Sequence, residues 1–145
     1  MKPDLIISHP IHLIYPLWME FIHENRKRFD KVMVVFTFMN AGSGDYRKFV
    51  SDALSKDNVA CIDNDEVTGK DDWRNIAINK ALKYSDSEWV YFTEQDFTPK
   101  GNFWAEIEDL MKRVDVFGYY QDSRLHPCCI FIKRQILEHT SKNFG

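Results

Sequence analysis

The sequence predicts an α/β fold: a mostly parallel sheet flanked by helices on both faces. Two observations predict it. Short, almost continuous apolar runs alternate with longer stretches whose apolar residues return every three or four positions, the pattern of buried parallel strands separated by amphipathic helices. The 145 residues, 44% hydrophobic with eleven Phe and four Trp, suffice for a packed core without staples. One domain over residues 1–145 is expected, since no repeat, linker or low-complexity segment interrupts the pattern.

The first strand is Leu5-Ile6-Ile7-Ser8, closed by His9-Pro10. Leu13, Leu17 and Phe21, beside Ile14, Trp18 and Ile22, then form two rows four residues apart and make one apolar helix face. Pro16 fits the first turn, which has no intrahelical N–H bond to lose. Val32-Met33-Val34-Val35-Phe36 is the second strand and runs into the turn-like loop Asn40-Ala41-Gly42-Ser43-Gly44-Asp45. Tyr46, Phe49, Val50, Ala53 and Leu54 line the next helix, and Val59-Ala60-Cys61-Ile62 forms a third strand. After an acidic loop over 63–72, a helix carries Trp73, Ile76, Ala77, Ala81 and Tyr84 inward, with Asp71 or Asp72 placed to cap it. Trp89-Val90-Tyr91-Phe92 is the fourth strand. A helix over 102–113, strand-like runs over 116–120 and 129–132, and a helix over 134–142 complete the order.

Charge and cysteine usage narrow the classes of function. A net charge of −3 with mixed signs offers no basic face for a phosphate backbone, so nucleic acid is not an expected partner. Arg26-Lys27-Arg28 reads as the solvated, cationic end of a helix. Three cysteines, two of them adjacent at Cys128-Cys129, do not make a disulfide framework. No apolar run approaches a membrane span, and Met1-Lys2-Pro3-Asp4 leads directly into a strand. The cytoplasm is the expected location.

Polar residues gather after the strands, where sheets of this kind bind ligands. Ser8, His9 and His12 follow the first, Asn40, Ser43 and Asp45 the second, and Asp63, Asp65, Asp71 and Asp72 the third. Taken singly, these acids serve equally well as caps or solvated loop residues. Glu94-Gln95-Asp96 is different, because four apolar residues lead directly into it. If the segment stays extended, Glu94 and Asp96 point the same way and can face one hard cation. Mg²⁺ and Mn²⁺ favour such oxygen ligands.

The stretch Asp72-Trp73-Arg74-Asn75-Ile76-Ala77-Ile78-Asn79-Lys80-Ala81-Leu82, followed by Ser87-Glu88-Trp89-Val90-Tyr91-Phe92-Thr93-Glu94-Gln95-Asp96, resembles glycosyltransferases of the GT-A fold, especially family 2. That family pairs an Ala-Arg-Asn helix with a hydrophobic strand and an Asp-x-Asp turn. Here Trp73 replaces a small residue and Glu94 replaces the first Asp. Asn40-Ala41-Gly42-Ser43-Gly44-Asp45 is similar to the family's Asp-Gly-Ser-x-Asp loop without its leading acid. Ile130-Phe131-Ile132-Lys133-Arg134-Gln135-Ile136-Leu137-Glu138 is similar to its later strand and Arg-Arg helix. The family's acidic pair that supplies a base would follow this helix, and residues 139–145 contain no acid.

The resemblance implies transfer of a sugar from a nucleotide-diphosphate donor, with Glu94 and Asp96 holding Mn²⁺ or Mg²⁺ on the diphosphate. It implies Arg74 at the phosphates or sugar, Asn75 at a donor hydroxyl, and Ser8, His9 and Asn40 beside the base and ribose; Gln95 lies between the two metal ligands and joins the substrate-binding set. Arg74 could equally pair with Asp71 or Asp72 on the surface. Asp122 and His126, between the last two strand-like runs, are the candidates for general base. Cys128 and Cys129 enter an apolar strand and read as inert buried thiols. Two other readings stay open. A nucleotidyltransferase would use a related fold, although Ser8-His9-Pro10-Ile11-His12 is not its usual glycine-rich basic loop. A non-catalytic domain of the same fold, binding a nucleotide or a partner, would suit the missing base motif.

Overall fold

The computed structural model describes residues 1–10, 16–37, 44–64 and 73–139. The apolar runs become strands β1 (Asp4–Pro10), β2 (Val32–Thr37), β3 (Val59–Asn64), β4 (Trp89–Glu94), β5 (Val116–Gln121) and β6 (Arg124–Lys133). They form one sheet in the order β3-β2-β1-β4-β6-β5. The first four are mutually parallel, and β6 runs antiparallel to both of its neighbours. The α/β, mostly parallel expectation is met.

Helices cover both faces because successive strand residues point to opposite sides. Leu5, Ile7, Val34, Phe36 and Tyr91 meet α1 (Leu17–Asn25), α2 (Gly44–Ala53) and α4 (Phe103–Arg113) through Trp18, Phe21, Ile22, Val50 and Ile107. On the other side, Ile6, Met33, Val35, Val90 and Phe92 meet α3 (Trp73–Leu82) and α5 (Arg134–Glu138) through Ala77, Ile78, Ala81 and Leu137. The small side chains of Ala77 and Ala81 let α3 lie close to the strands.

Several expected core positions turn outward. Phe49 is 58% exposed, because the buried line of α2 runs through Val50 and a stacked contact with Tyr46 is what holds the ring. Tyr84 is 59% exposed, since α3 ends at Leu82 and Tyr84 lies in the following turn. Leu17 is exposed while Trp18, Phe21 and Ile22 carry the buried face of α1. The strand β3 is only half-buried, because it forms one edge of the sheet.

At the amino end of the sheet, Asp4 is 0% exposed. Its carboxylate accepts bonds from Ser85 Oγ (2.6 Å), Ser87 Oγ (2.8 Å) and the N–H groups of Lys31 (3.0 Å), Asp86 (3.0 Å) and Ser87 (3.1 Å). Burial alone would raise its pKa; the donors outweigh burial and hold it below the ordinary value. Ligand oxygens of Asp30 and Asp86 come within 4.8 Å of those of Asp4. Lys31 neutralises Asp86 at 2.9 Å and Arg134 Nη2 lies 3.9 Å from Asp4 Oδ2, so cationic side chains already answer this charge. A cavity of about 360 Å³ also lies at this end, lined by Trp89, Met111, Lys112, Lys133, Glu88 and Glu108. It is remote from the acidic turn, which follows the carboxyl end of β4. Among the described residues, no helix is long and apolar enough to cross a membrane.

Candidate functional site

The direction of strand addition reverses between β1 and β4, so their carboxyl ends border the crevice where a doubly wound sheet receives a ligand. Ser8 and Glu94 are register partners there. Ser8 is 2% exposed and its Oγ has no hydrogen-bond partner. His9 is fully buried against Trp18, Phe36 and Tyr46, with ring centroids 5.3–5.5 Å apart. Its Nδ1 lies 3.0 Å from the Pro10 carbonyl and its Nε2 2.9 Å from the Tyr46 hydroxyl. A carbonyl can only accept, so Nδ1 carries the proton and Nε2 accepts from Tyr46. This locks the end of β1 onto α2 and makes His9 a brace for the crevice wall.

Glu94 is the last residue of β4, and its inner location follows from the apolar run that leads into it. Arg74, on the first turn of α3, places Nη2 2.8 Å from Glu94 Oε1, with only 27% and 14% of the two side chains exposed. The guanidinium also lies over the Trp73 ring, 4.9 Å from its centroid. Its N–H bonds are not well directed at the carboxylate: Arg74 Nε and Glu94 Oε1 are both buried without an aligned hydrogen bond. Burial raises the Glu94 pKa, the Arg74 charge lowers it, the Asp96 charge raises it and the His126 charge lowers it; the outcome lies above the ordinary value. Arg74 therefore pairs with Glu94; Asp71 and Asp72, considered as surface partners, lie outside the described residues.

The expectation that an extended segment aims both carboxylates one way is corrected. The chain turns at Gln95-Asp96, where Phe97 N–H bonds to the Glu94 carbonyl at 3.2 Å. Asp96 is exposed on that turn, whereas Glu94 is held inside. The two carboxylates still share a field, since Asp96 acts on both Glu94 and Cys128. Between them, Gln95 is 2% exposed and its Oε1 has no partner.

From the other side, β6 brings His126 and Cys128 to the same end. His126 Nδ1 accepts the Cys128 N–H at 3.2 Å, so a neutral ring carries its proton on Nε2 and presents a donor. The residue lies within a strand, not in the loop its sequence suggested. Cys128 is a buried thiol whose pKa is pushed up to about 11 by burial and by the charges of Cys129, Glu94 and Asp96; it is inert as a nucleophile. Asp122 sits exposed at the β5–β6 turn with φ +53°. That turn is six residues before Cys128, roughly 20 Å along an extended strand. Asn75 is half-buried on α3 beside Arg74, and Asn40 lies outside the described residues.

Two residues at this end escaped the sequence reading. Asn64 and Thr37, both fully buried, end β3 and β2. Asn64 Nδ2 donates to Thr37 Oγ1 and to the Trp73 carbonyl, each at 3.3 Å, tying both strands to the start of α3. A polar residue closing an apolar run was the available signal.

The set fits a hard cation with an anionic ligand. Glu94 and Asp96 would offer it oxygens, while Ser8, Arg74 and Gln95 hold buried polar atoms without aligned partners. Among the described residues neither acid belongs to a group of three ligating side chains, so phosphate oxygens and water would complete the shell.

The sequence matches no protein-family model and no curated protein. Solved structures do match. The mannosyltransferase PcManGT from Pyrobaculum calidifontis, solved with GDP-Man and Mn²⁺, aligns with TM-score 0.66 and 18% identity over 96% of this chain and 47% of its own. This chain thus spans about half the length of that enzyme. HddC from Yersinia pseudotuberculosis aligns at 0.61 and 12% identity, covering 99% of this chain and 83% of its own. A 4-diphosphocytidyl-2C-methyl-D-erythritol synthase aligns at 0.54 and 9% identity, covering 98% and 82%. The likeness establishes the fold alone, an α/β sheet of the GT-A/nucleotidyltransferase-like type.

Proposed function

We propose that the protein transfers a sugar from a nucleotide-diphosphate donor to an acceptor, with Glu94 and Asp96 holding Mn²⁺ or Mg²⁺ at the diphosphate. One observation carries the reading: the buried Arg74–Glu94 pair stands at the strand-order switch among polar atoms that lack aligned partners. The mannosyltransferase of like fold, solved with GDP-Man and Mn²⁺, supports it. The cation would supply Lewis-acid stabilisation of charge on the leaving diphosphate. Arg74 offers a planar fork to phosphate oxygens, and Asn75 and Gln95 offer amide groups to donor hydroxyls. Ser8 borders the nucleobase and ribose, with His9 bracing the wall behind it. His126 donates through Nε2 to the departing phosphate. Asp122, the other candidate base, stands exposed at the β5–β6 turn, roughly 20 Å along the strand from Cys128, and has no part in the step in this arrangement.

Calorimetry with nucleoside diphosphates, with and without Mn²⁺, tests the reading. Asp96→Ala is expected to abolish the Mn²⁺-dependent gain in affinity, while the exposed position leaves the melting temperature within about 2 °C. An unchanged gain removes the metal site and the reading with it.

A second reading is nucleotidyl transfer, favoured by the fuller coverage of the 4-diphosphocytidyl-2C-methyl-D-erythritol synthase, 82% of its own chain. Release of pyrophosphate from a nucleoside triphosphate and a sugar phosphate would select it. Consumption of a nucleotide sugar selects glycosyl transfer.

A further inference from the structure

We propose that Arg74 is a latch: in the free protein its guanidinium occupies the cation position at Glu94, and only a diphosphate draws it away and opens Glu94 to the metal. The inference rests on the metal-assisted reading above and adds an order of events. Arg74 Nη2 is 2.8 Å from Glu94 Oε1, so a divalent ion approaching that oxygen meets a fixed positive charge first. Both partners are mostly buried, where water screens the repulsion poorly. Trp73, with its ring 4.9 Å from the guanidinium carbon, holds the group over the carboxylate.

The latch is also poised to open. Arg74 Nε and Glu94 Oε1 lack aligned hydrogen bonds in the pair, so the ion pair is close in distance yet poorly directed. A diphosphate presents several oxygens that a guanidinium fork can engage in line. Once Arg74 turns to phosphate, Glu94 is left buried and uncompensated, and a divalent ion is what the site then lacks. Asp96, exposed on the turn, needs no such release. Metal and diphosphate therefore bind with positive coupling, and each raises the affinity of the other by the same factor.

Mn²⁺ binding followed by electron paramagnetic resonance, in the absence and presence of a non-hydrolysable nucleoside diphosphate, tests the latch without any assay of turnover. Arg74→Gln is expected to bind Mn²⁺ about tenfold tighter than wild type in the free protein, with a coupling factor falling towards one. Arg74→Lys, which keeps the charge, is expected to stay near wild type. Trp73→Leu retains both charges and loosens the guanidinium, so a gain of about threefold is expected; it serves if Arg74→Gln does not fold. An Arg74→Gln affinity for Mn²⁺ equal to or below wild type overturns the latch, as does an unchanged affinity in Trp73→Leu where that variant stands in. Glu94→Gln separates the two failures: if it leaves Mn²⁺ binding with nucleotide unaltered, the metal reading itself falls.

Discussion

Asp4 and Glu94 are buried carboxylates at opposite ends of the β1–β4 pair, and their surroundings treat them in opposite ways. Asp4 meets five donors and titrates below its ordinary value; Glu94 meets one misdirected guanidinium and titrates above its own. A carboxylate with a lowered folded pKa stabilises the fold fully above its unfolded value, here near 3.8, and loses that contribution as pH falls through the folded value. Asp4→Asn is therefore expected to destabilise the protein by about 2–4 kcal/mol at pH 7. The gap to wild type is expected to narrow at pH 3, as thermal melts at the two pH values will show. Equal gaps at both would mean that the introduced amide NH2, facing donors, and not the lost charge, sets the cost. Glu94 contributes in the reverse sense, since burial disfavours its charged form.

At the scale of elements, the β5–β6 hairpin holds the clearest conflict between residue type and backbone. Asp122 and Ser123 both adopt positive φ, +53° and +63°, as a two-residue hairpin turn requires. Serine is a poor choice there. Ser123→Gly is expected to raise stability by about 0.5–1 kcal/mol, read as a higher denaturation midpoint, with Asp122 left in place. No gain would show that the hairpin tip does not limit unfolding. The strands β1, β2 and β4 were legible because burial on both faces leaves uninterrupted apolar runs. Strand β6 was legible only from Cys129 onward, since Arg124-Leu125-His126-Pro127 projects beyond β4 and mixes polar with apolar residues. Edge position similarly hid the exposure of β3. At the site, the strand-end acids were visible, yet the turn at Gln95-Asp96 and the Arg74–Glu94 pair depend on how β4 stops and where α3 docks. Asn64 and Thr37 look like ordinary loop-entry residues until the sheet brings their strands together.

Across the whole molecule, the sheet separates saturated polar groups from unsatisfied ones. The donors that saturate Asp4 sit at the amino ends of the strands, and the buried atoms of Ser8, Asn64, Arg74, Glu94 and Gln95 without aligned partners sit at the carboxyl ends. Asp4→Asn is accordingly expected to lower the melting temperature while nucleoside diphosphate affinity stays within about twofold, and Asp96→Ala to do the reverse. Parallel loss of both properties in either variant would show that the two ends are coupled. The order β3-β2-β1-β4-β6-β5 has one more consequence. The strand β1 is a central one, and one flank of it waits for a partner some 80 residues later, where Ser85 reaches Asp4 across 81 positions. During synthesis β1 and β2 can zip early, but an open edge around Leu5, Ile6 and Ile7 persists until β4 leaves the ribosome. Closure of that distant pairing is expected to slow refolding and to leave the nascent chain most prone to aggregate in the interval before it.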